Sequence, residues 1–223
     1  GLSIATDEIG FENSLTAKLA GAYHFNVGSG KLGIGLDFGL VQNTIDGKFT
    51  APDGTANDPA IPQSSVSGSS FDMGGGLYYN SEKLYIGISS THLLESEIDL
   101  DKFTKTYDRH YYGMIGYNWE VTPNVTLKPM LFVKTVTDNT TIDVNVNAHF
   151  NNKFWAGLSW RNDDAIVGML GLTLLENLRL GYSYDFTTSE LKDYSDGTHE
   201  IMLGYCFNVK KRVPVSIRNV RFL

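Results

Sequence analysis

Asn151-Asn152-Lys153-Phe154-Trp155-Ala156-Gly157-Leu158-Ser159 reads as a tight polar turn followed by a β-strand, and the strand pattern recurs twice more. Each copy runs apolar, any, apolar, glycine, bulky, serine. The others are Leu84-Tyr85-Ile86-Gly87-Ile88-Ser89, after Asn80-Ser81-Glu82-Lys83, and Leu178-Arg179-Leu180-Gly181-Tyr182-Ser183, after Glu176-Asn177. Successive strand side chains point to opposite faces, so every copy has one continuous apolar face and one face holding glycine and serine. A sheet that is greasy outside and wet inside suits such a sequence, which points to a membrane barrel.

Composition agrees. Among 223 residues there are 23 Gly, 12 Tyr and 12 Phe against 6 Pro, a β-rich profile with many aromatic anchors. No window offers about eighteen consecutive apolar residues, so no spanning helix is expected, and alternating barrel strands dilute hydropathy in any case. The lone Cys206 rules out an internal disulfide and a cysteine-based metal cluster. The net charge of -7 is uneven: from Lys210 onward the chain holds Lys210, Lys211, Arg212, Arg218 and Arg221 with no acid. The body is acidic and the tail basic.

Alternation places strands near 1–7, 15–25, 32–40, 66–79, 83–91, 107–119, 124–136, 140–150, 153–161, 164–174, 177–187 and 198–208, twelve in all. The clearest is Ile142, Val144, Val146, Ala148 and Phe150 against Asp143, Asn145, Asn147 and His149. A soluble sandwich fits one such strand equally well. The connections break the tie, because alternate ones (26–30, 80–82, 122–124, 151–152, 175–177) are short and most of the others longer, notably 44–65, 92–106 and 188–197. Short turns on one rim and long loops on the other match an outer-membrane barrel with periplasmic turns. Aromatics near strand ends, Tyr79, Trp119, Phe150, Phe154 and Phe207 on one side and Trp160, Tyr184 and Phe186 on the other, suit interfacial girdles. The last strand ends in a glycine followed by alternating aromatics, Gly204, Tyr205 and Phe207, and resembles the C-terminal signal of assembled barrels.

Lys18, Asp37, Asp72, Lys128, Lys134, Asp143, His149, Arg161, Arg179 and Asp185 all fall on the glycine/serine face. Lys or Arg facing lipid costs roughly 2 to 4 kcal/mol at the midplane, so this face is expected inside. Its mixed signs favour a salt-bridged interior over a selective pore. Reactive chemistry is not expected. His24, His92, His110, His149 and His199 show no ligand spacing. Ser159 and Ser183 belong to the repeat and read as small wall residues, not nucleophiles beside His149. Gly28-Ser29-Gly30 and Gly74-Gly75-Gly76 lack the strand-to-helix setting of a phosphate loop. No catalytic residue, cofactor or metal is expected.

Read together, Arg109-His110-Tyr111-Tyr112, Leu127-Lys128-Pro129, 151–159, Leu180-Gly181-Tyr182-Ser183-Tyr184-Asp185-Phe186 and His199-Glu200-Ile201-Met202-Leu203-Gly204-Tyr205 resemble the PorP/SprF family of Bacteroidota, outer-membrane proteins tied to type IX secretion and gliding motility. The likeness rests on their order and spacing over roughly residues 75–207. Two features depart from it. The family has further N-terminal strands, so at least one hairpin is expected to precede Gly1, and its Pro-Arg-aromatic tail is here Asn219-Val220-Arg221-Phe222-Leu223.

The expectation is therefore an all-β, antiparallel up-and-down transmembrane β-barrel over 1–208, with twelve strands visible and fourteen in the full-length protein, followed by a basic periplasmic tail over 209–223. The resemblance implies a non-enzymatic partner that anchors or helps export secreted adhesins through their C-terminal domains. Expected partners are outer-membrane lipid, such a C-terminal domain and periplasmic secretion components, with no nucleic acid. Candidate partner-facing positions are the loop acids Asp46, Asp53, Asp58, Glu95, Glu97, Asp99, Asp101, Glu190, Asp193 and Asp196; the candidate docking tail is Lys210, Lys211, Arg212, Arg218 and Arg221. The rival readings are a passive porin and a soluble lipocalin-like barrel.

Overall fold

The computed structural model describes residues 1–47, 64–101, 104–175 and 177–207. One meander of antiparallel strands accounts for most of them. It runs β1 (Leu2–Ile9), β2 (Glu12–Val27), β3 (Gly30–Ile45), β4 (Val66–Asn80), β5 (Leu84–Thr91), then, after a small hairpin of β6 (Glu97–Asp99) and β7 (Thr104–Thr106), β8 (His110–Tyr117) and β9 (Trp119–Thr122). β10 (Val125–Val136), β11 (Asn139–Phe150), β12 (Phe154–Arg161), β13 (Ala165–Leu174), β14 (Leu178–Thr187) and β15 (Thr198–Tyr205) follow. The large sheet has the order β1-β2-β3-β4-β5-β8-β10-β11-β12-β13-β14-β15, with β9 on β10. All twelve expected strands are present. The one expected over 107–119 breaks at Asn118, which donates its backbone N–H to Lys83, and resumes as β9. β1 and β15 are not paired with each other among the described residues, so the sheet is open.

Turn chemistry sets the register. Asn151 and Asn152 both adopt positive φ (50° and 54°), and Lys153 N–H donates to the Phe150 carbonyl at 3.0 Å, a type I′ turn matched to strand twist. Asparagine tolerates that left-handed geometry better than most residues. Gly28, at φ 57°, turns the β2–β3 hairpin in two residues. From this rim all three copies of the repeat start at the first residue of a strand, β5, β12 and β14.

The repeat's glycines face inward and serve as seats for neighbouring side chains. Met114 Cγ lies 3.0 Å from where a Gly87 Cβ would sit, Met202 Cε 3.1 Å from that of Gly181, and the Asn147 amide fills the place of a Gly157 Cβ. Trp155 lies similarly across Gly171, and Tyr85 across Gly116.

The opposite, convex face is apolar and uncovered. Leu36, Phe71, Leu158, Leu170 and Leu203 are 61%, 72%, 65%, 55% and 70% exposed, and the same row continues across the large sheet. Contiguous apolar surface on this scale is rare in water-soluble monomers. Of the eight expected girdle residues Trp119, Phe154, Trp160, Phe186 and Phe207 are exposed, while Tyr79, Phe150 and Tyr184 are half-buried. Phe150 and Phe154 stack at 4.9 Å, and Tyr184 meets Phe186 edge-on at 4.5 Å.

The rim asymmetry is weaker than the sequence suggested. Residues 46–65, 92–109 and 188–197 form long connections at the loop rim, but 10–11, 137–138 and 162–164 are as short as those at the turn rim. Extra length sits in the strands instead. β2, β3 and β4 have 16, 16 and 15 residues, beyond the roughly 9 to 11 that cross a bilayer.

Candidate functional site

The loop rim gathers the predicted acidic residues without merging them into one patch. In the 92–109 connection, Glu97 and Asp99 are exposed while Ile98 and Leu100, alternating with them, are 1% and 0% exposed. The period of two explains this: one row faces water and the other turns inward onto Val41 of β3, with Ile45 and Tyr107 alongside. Asp101, at φ 66°, donates its N–H to Asp99 Oδ1 at 3.1 Å, and Glu95 pairs with Arg109 at 3.2 Å. Glu190 and Asp193 lie exposed on a short 3-10 helix (Glu190–Asp193) in the β14–β15 connection. Asp196, on the same connection, accepts the Tyr184 hydroxyl through its carbonyl. Asp46 is exposed at the end of β3. Asp53 and Asp58, and the tail residues Lys210, Lys211, Arg212, Arg218 and Arg221, lie outside the described residues.

All ten charged or polar residues assigned to the inner row share one face in the observed register. Six of them enter two clusters the sequence did not assemble. In the first, Lys18 on β2 reaches Asp37 on β3 at 3.1 Å and Asp72 on β4 at 2.6 Å. Gly39 stands opposite both Lys18 and Asp72, so nothing separates the two side chains as they cross over it. His92, at the start of the 92–109 connection, places Nδ1 3.0 Å from Asp72 Oδ2. Burial holds its pKa below the ordinary histidine value; Lys18 and His110 push the same way, and Asp72 pulls against them. Asp72 Oδ1 is buried without a hydrogen-bond partner.

In the second cluster Arg161 on β12 meets three carboxylates: Asp143 through Nε at 2.9 Å, Asp164 through Nη1 at 3.0 Å and Asp185 through Nη1 at 3.6 Å. It borders an open cavity of about 960 Å³ at the loop rim, lined also by Lys134, Thr141, Asp163 and Glu190. Asp163 and Asp164 were missed because they fall at the junction of the strands expected over 153–161 and 164–174, where alternation assigns no face. Asp143 was on the page: it faces Arg161 directly once β11 and β12 are paired. A second cavity of about 540 Å³ lies deeper, between the glycine wall of Gly33, Gly35 and Gly76 and the rings of Tyr112 and Phe132.

These arrangements suit cross-linking. His149 lies at the turn end of β11, stacked on Trp155, while Ser159 donates to the Val144 carbonyl four positions further along β12, roughly 13 Å by strand rise. Ser183 donates to Glu200. Neither serine has a histidine as base. His92 and His110 do come together, with ring centroids 5.5 Å apart, a proximity that separate strands concealed. Among the described residues no group of three or more His, Cys, Asp or Glu side chains is placed to hold a metal ion. Among the described residues no helix is long and apolar enough to cross a membrane.

No curated protein matches the chain. A family model does, over nearly its whole length and across both polar clusters and the rim between them: spanning residues 1–205, it is that of the type IX secretion system membrane protein PorP/SprF, and the chain belongs to that family.

Proposed function

We propose that this chain forms the wall of an outer-membrane β-barrel over 1–208, with the turn rim in the periplasm. It acts there as a non-enzymatic anchor or export partner for secreted surface adhesins, engaging their C-terminal domains. The single observation that carries the membrane reading is the uninterrupted apolar convex face opposite an ion-paired concave one. In water that face would drive aggregation; in hydrocarbon it is the solvent-exposed surface. Backbone groups cannot stay unpaired in lipid, so the β1 and β15 edges are covered when the barrel is closed.

Membership in a type IX secretion family that is not known as enzymatic supports a partner role. The loop-rim acids Asp46, Glu95, Glu97, Asp99, Asp101, Glu190, Asp193 and Asp196 are the surface offered to the secreted domain, and Asp53 and Asp58 belong to the same set. The basic tail over 209–223 docks a periplasmic secretion component. The test is purification in mild detergent from the native membrane, with identification of what accompanies the protein. Recovery of a secreted adhesin or a secretion component is expected. Recovery of the barrel alone, with steady ion conductance in planar bilayers, overturns the anchor and favours a porin.

A further inference from the structure

The 92–109 connection does not behave as a surface loop. β4 is paired with β5 only over residues 75–80, so the loop-rim part of β4 lacks a strand neighbour on that side. The connection covers part of that edge with two hydrogen bonds instead: Leu93 N–H donates to the Met73 carbonyl at 2.9 Å, and the Ser96 hydroxyl donates to the Phe71 carbonyl. From there the β6–β7 hairpin folds over the concave face. Gly68 makes this possible, because a Cβ there would meet Ile98 and the Asp99 carbonyl. Ile98 and Leu100 then pack on Val41, and these three make the only cluster of buried apolar residues among the described ones. On the far side Lys105 of β7 forms an ion pair with Glu12 of β2, which also accepts from the Asn43 amide at 2.7 Å. The hairpin thus bridges β2, β3 and β4 at the end where those strands are longest.

We propose that the β6–β7 hairpin is a stopper. Held by the Lys105–Glu12 pair and by Ile98 and Leu100 on Val41, it closes the loop-rim mouth of the β2–β4 half and opens when that latch is broken. The proposal rests on the barrel reading above but not on the identity of any partner. Its hold is strong where it is apolar and weaker where it is polar, since the Lys105 and Glu12 side chains keep 32% and 39% of their exposure. That leaves one ion pair within reach of an outside partner.

The test uses the full protein with Cys206→Ser as background and a charged, membrane-impermeant maleimide as probe. Leu100→Cys is expected to react at least tenfold more slowly than Asp99→Cys, and Ile98→Cys, a second reporter, should match it. Lys105→Glu places two carboxylates together and should bring the Leu100→Cys rate to within a few-fold of the Asp99→Cys rate, with bilayer conductance rising in parallel. The swap Glu12→Lys with Lys105→Glu should restore both. Asn43 helps here, since its unpartnered Oδ1 can face a lysine at position 12 once the amide turns. Equal labelling at positions 99 and 100, or no response to Lys105→Glu, overturns the latch. Faster labelling without added conductance overturns the stopper. None of these outcomes touches co-purification of a secreted partner, so the failure of this inference and that of the anchor reading are separable.

Discussion

The β2–β4 and β11–β14 halves of the sheet solve the same problem in different ways. Each carries one half-buried cation between carboxylates, Lys18 at 14% side-chain exposure and Arg161 at 33%. In the first half strands of 15 and 16 residues build a deep well, and the β6–β7 hairpin covers it at the loop rim. In the second, strands of 8 to 12 residues end in short turns, and the cation borders an open cavity instead. The same inner row of charges is structural cross-linking where it is covered and an accessible polar surface where it is not. Partner recognition is therefore better sought around Arg161 and Glu190 than around Lys18.

Removing the cation from each half is the strongest way to break this comparison. Lys18→Met leaves Asp37 and Asp72 facing one another in a covered site, and breaking a buried pair costs about 3 to 5 kcal/mol. Arg161→Met strands three carboxylates, but water reaches them, so the loss should be nearer about 1 to 3 kcal/mol. The urea midpoint of detergent-folded protein measures both. Equal losses would erase the distinction between covered and open halves.

On the outer face the two halves should not differ at all. Leu36→Arg on β3 and Leu158→Arg on β12 each put a guanidinium where lipid is expected, at about 2 to 4 kcal/mol near the midplane. The folded fraction recovered in lipid vesicles reports it. Wild-type recovery of both variants would mean that the convex face does not meet lipid.

A smaller effect separates glycines that look alike in sequence. Gly39→Ala drives a Cβ into the Ala17 carbonyl and the Lys18 backbone beneath the Lys18–Asp72 crossing, and such overpacking costs about 1 to 3 kcal/mol. At Gly113 nothing lies within 4 Å of the new Cβ, so Gly113→Ala should stay within about 0.5 kcal/mol of the parent. A Gly113→Ala loss as large as that of Gly39→Ala would show that strand conformation, not seating, sets the requirement.

What was legible in the sequence followed from parity. Ile142 to Phe150 fixed which side of β11 is apolar, and the same alternation put Lys18, Asp37, Asp72, Asp143, Arg161 and Asp185 on one face, because a strand encodes facing in adjacent residues; Glu12, on that face too, was not picked out. The hairpin was not legible. Glu97-Ile98-Asp99-Leu100 alternates too, but two apolar residues in an acidic loop do not say what they cover, and Val41 lies far away in the chain. The Lys18–Asp72 crossing was hidden for a related reason. It depends on Gly39 being opposite both residues, a fact of pairing that no local pattern contains.

The smallest expected effect tests whether the covered half is sensitive to acid. His92 anchors the start of the hairpin connection among Asp72, Lys18, His110 and Tyr107. Its pKa in the fold lies below that of an unfolded histidine, about 6.5, so between the two values the undocked state binds more protons. Docking is then at full strength above about pH 6.5 and weakens as pH falls toward the folded value. The ratio of Leu100→Cys to Asp99→Cys labelling, which cancels the thiol's own pH dependence, should rise from about pH 8 to about pH 5, and His92→Gln should flatten it. A ratio that falls in acid would mean that attraction to Asp72 outweighs burial, making the histidine a second electrostatic latch beside Lys105–Glu12. The open half has no histidine on Arg161, and its accessibility should not follow the same curve.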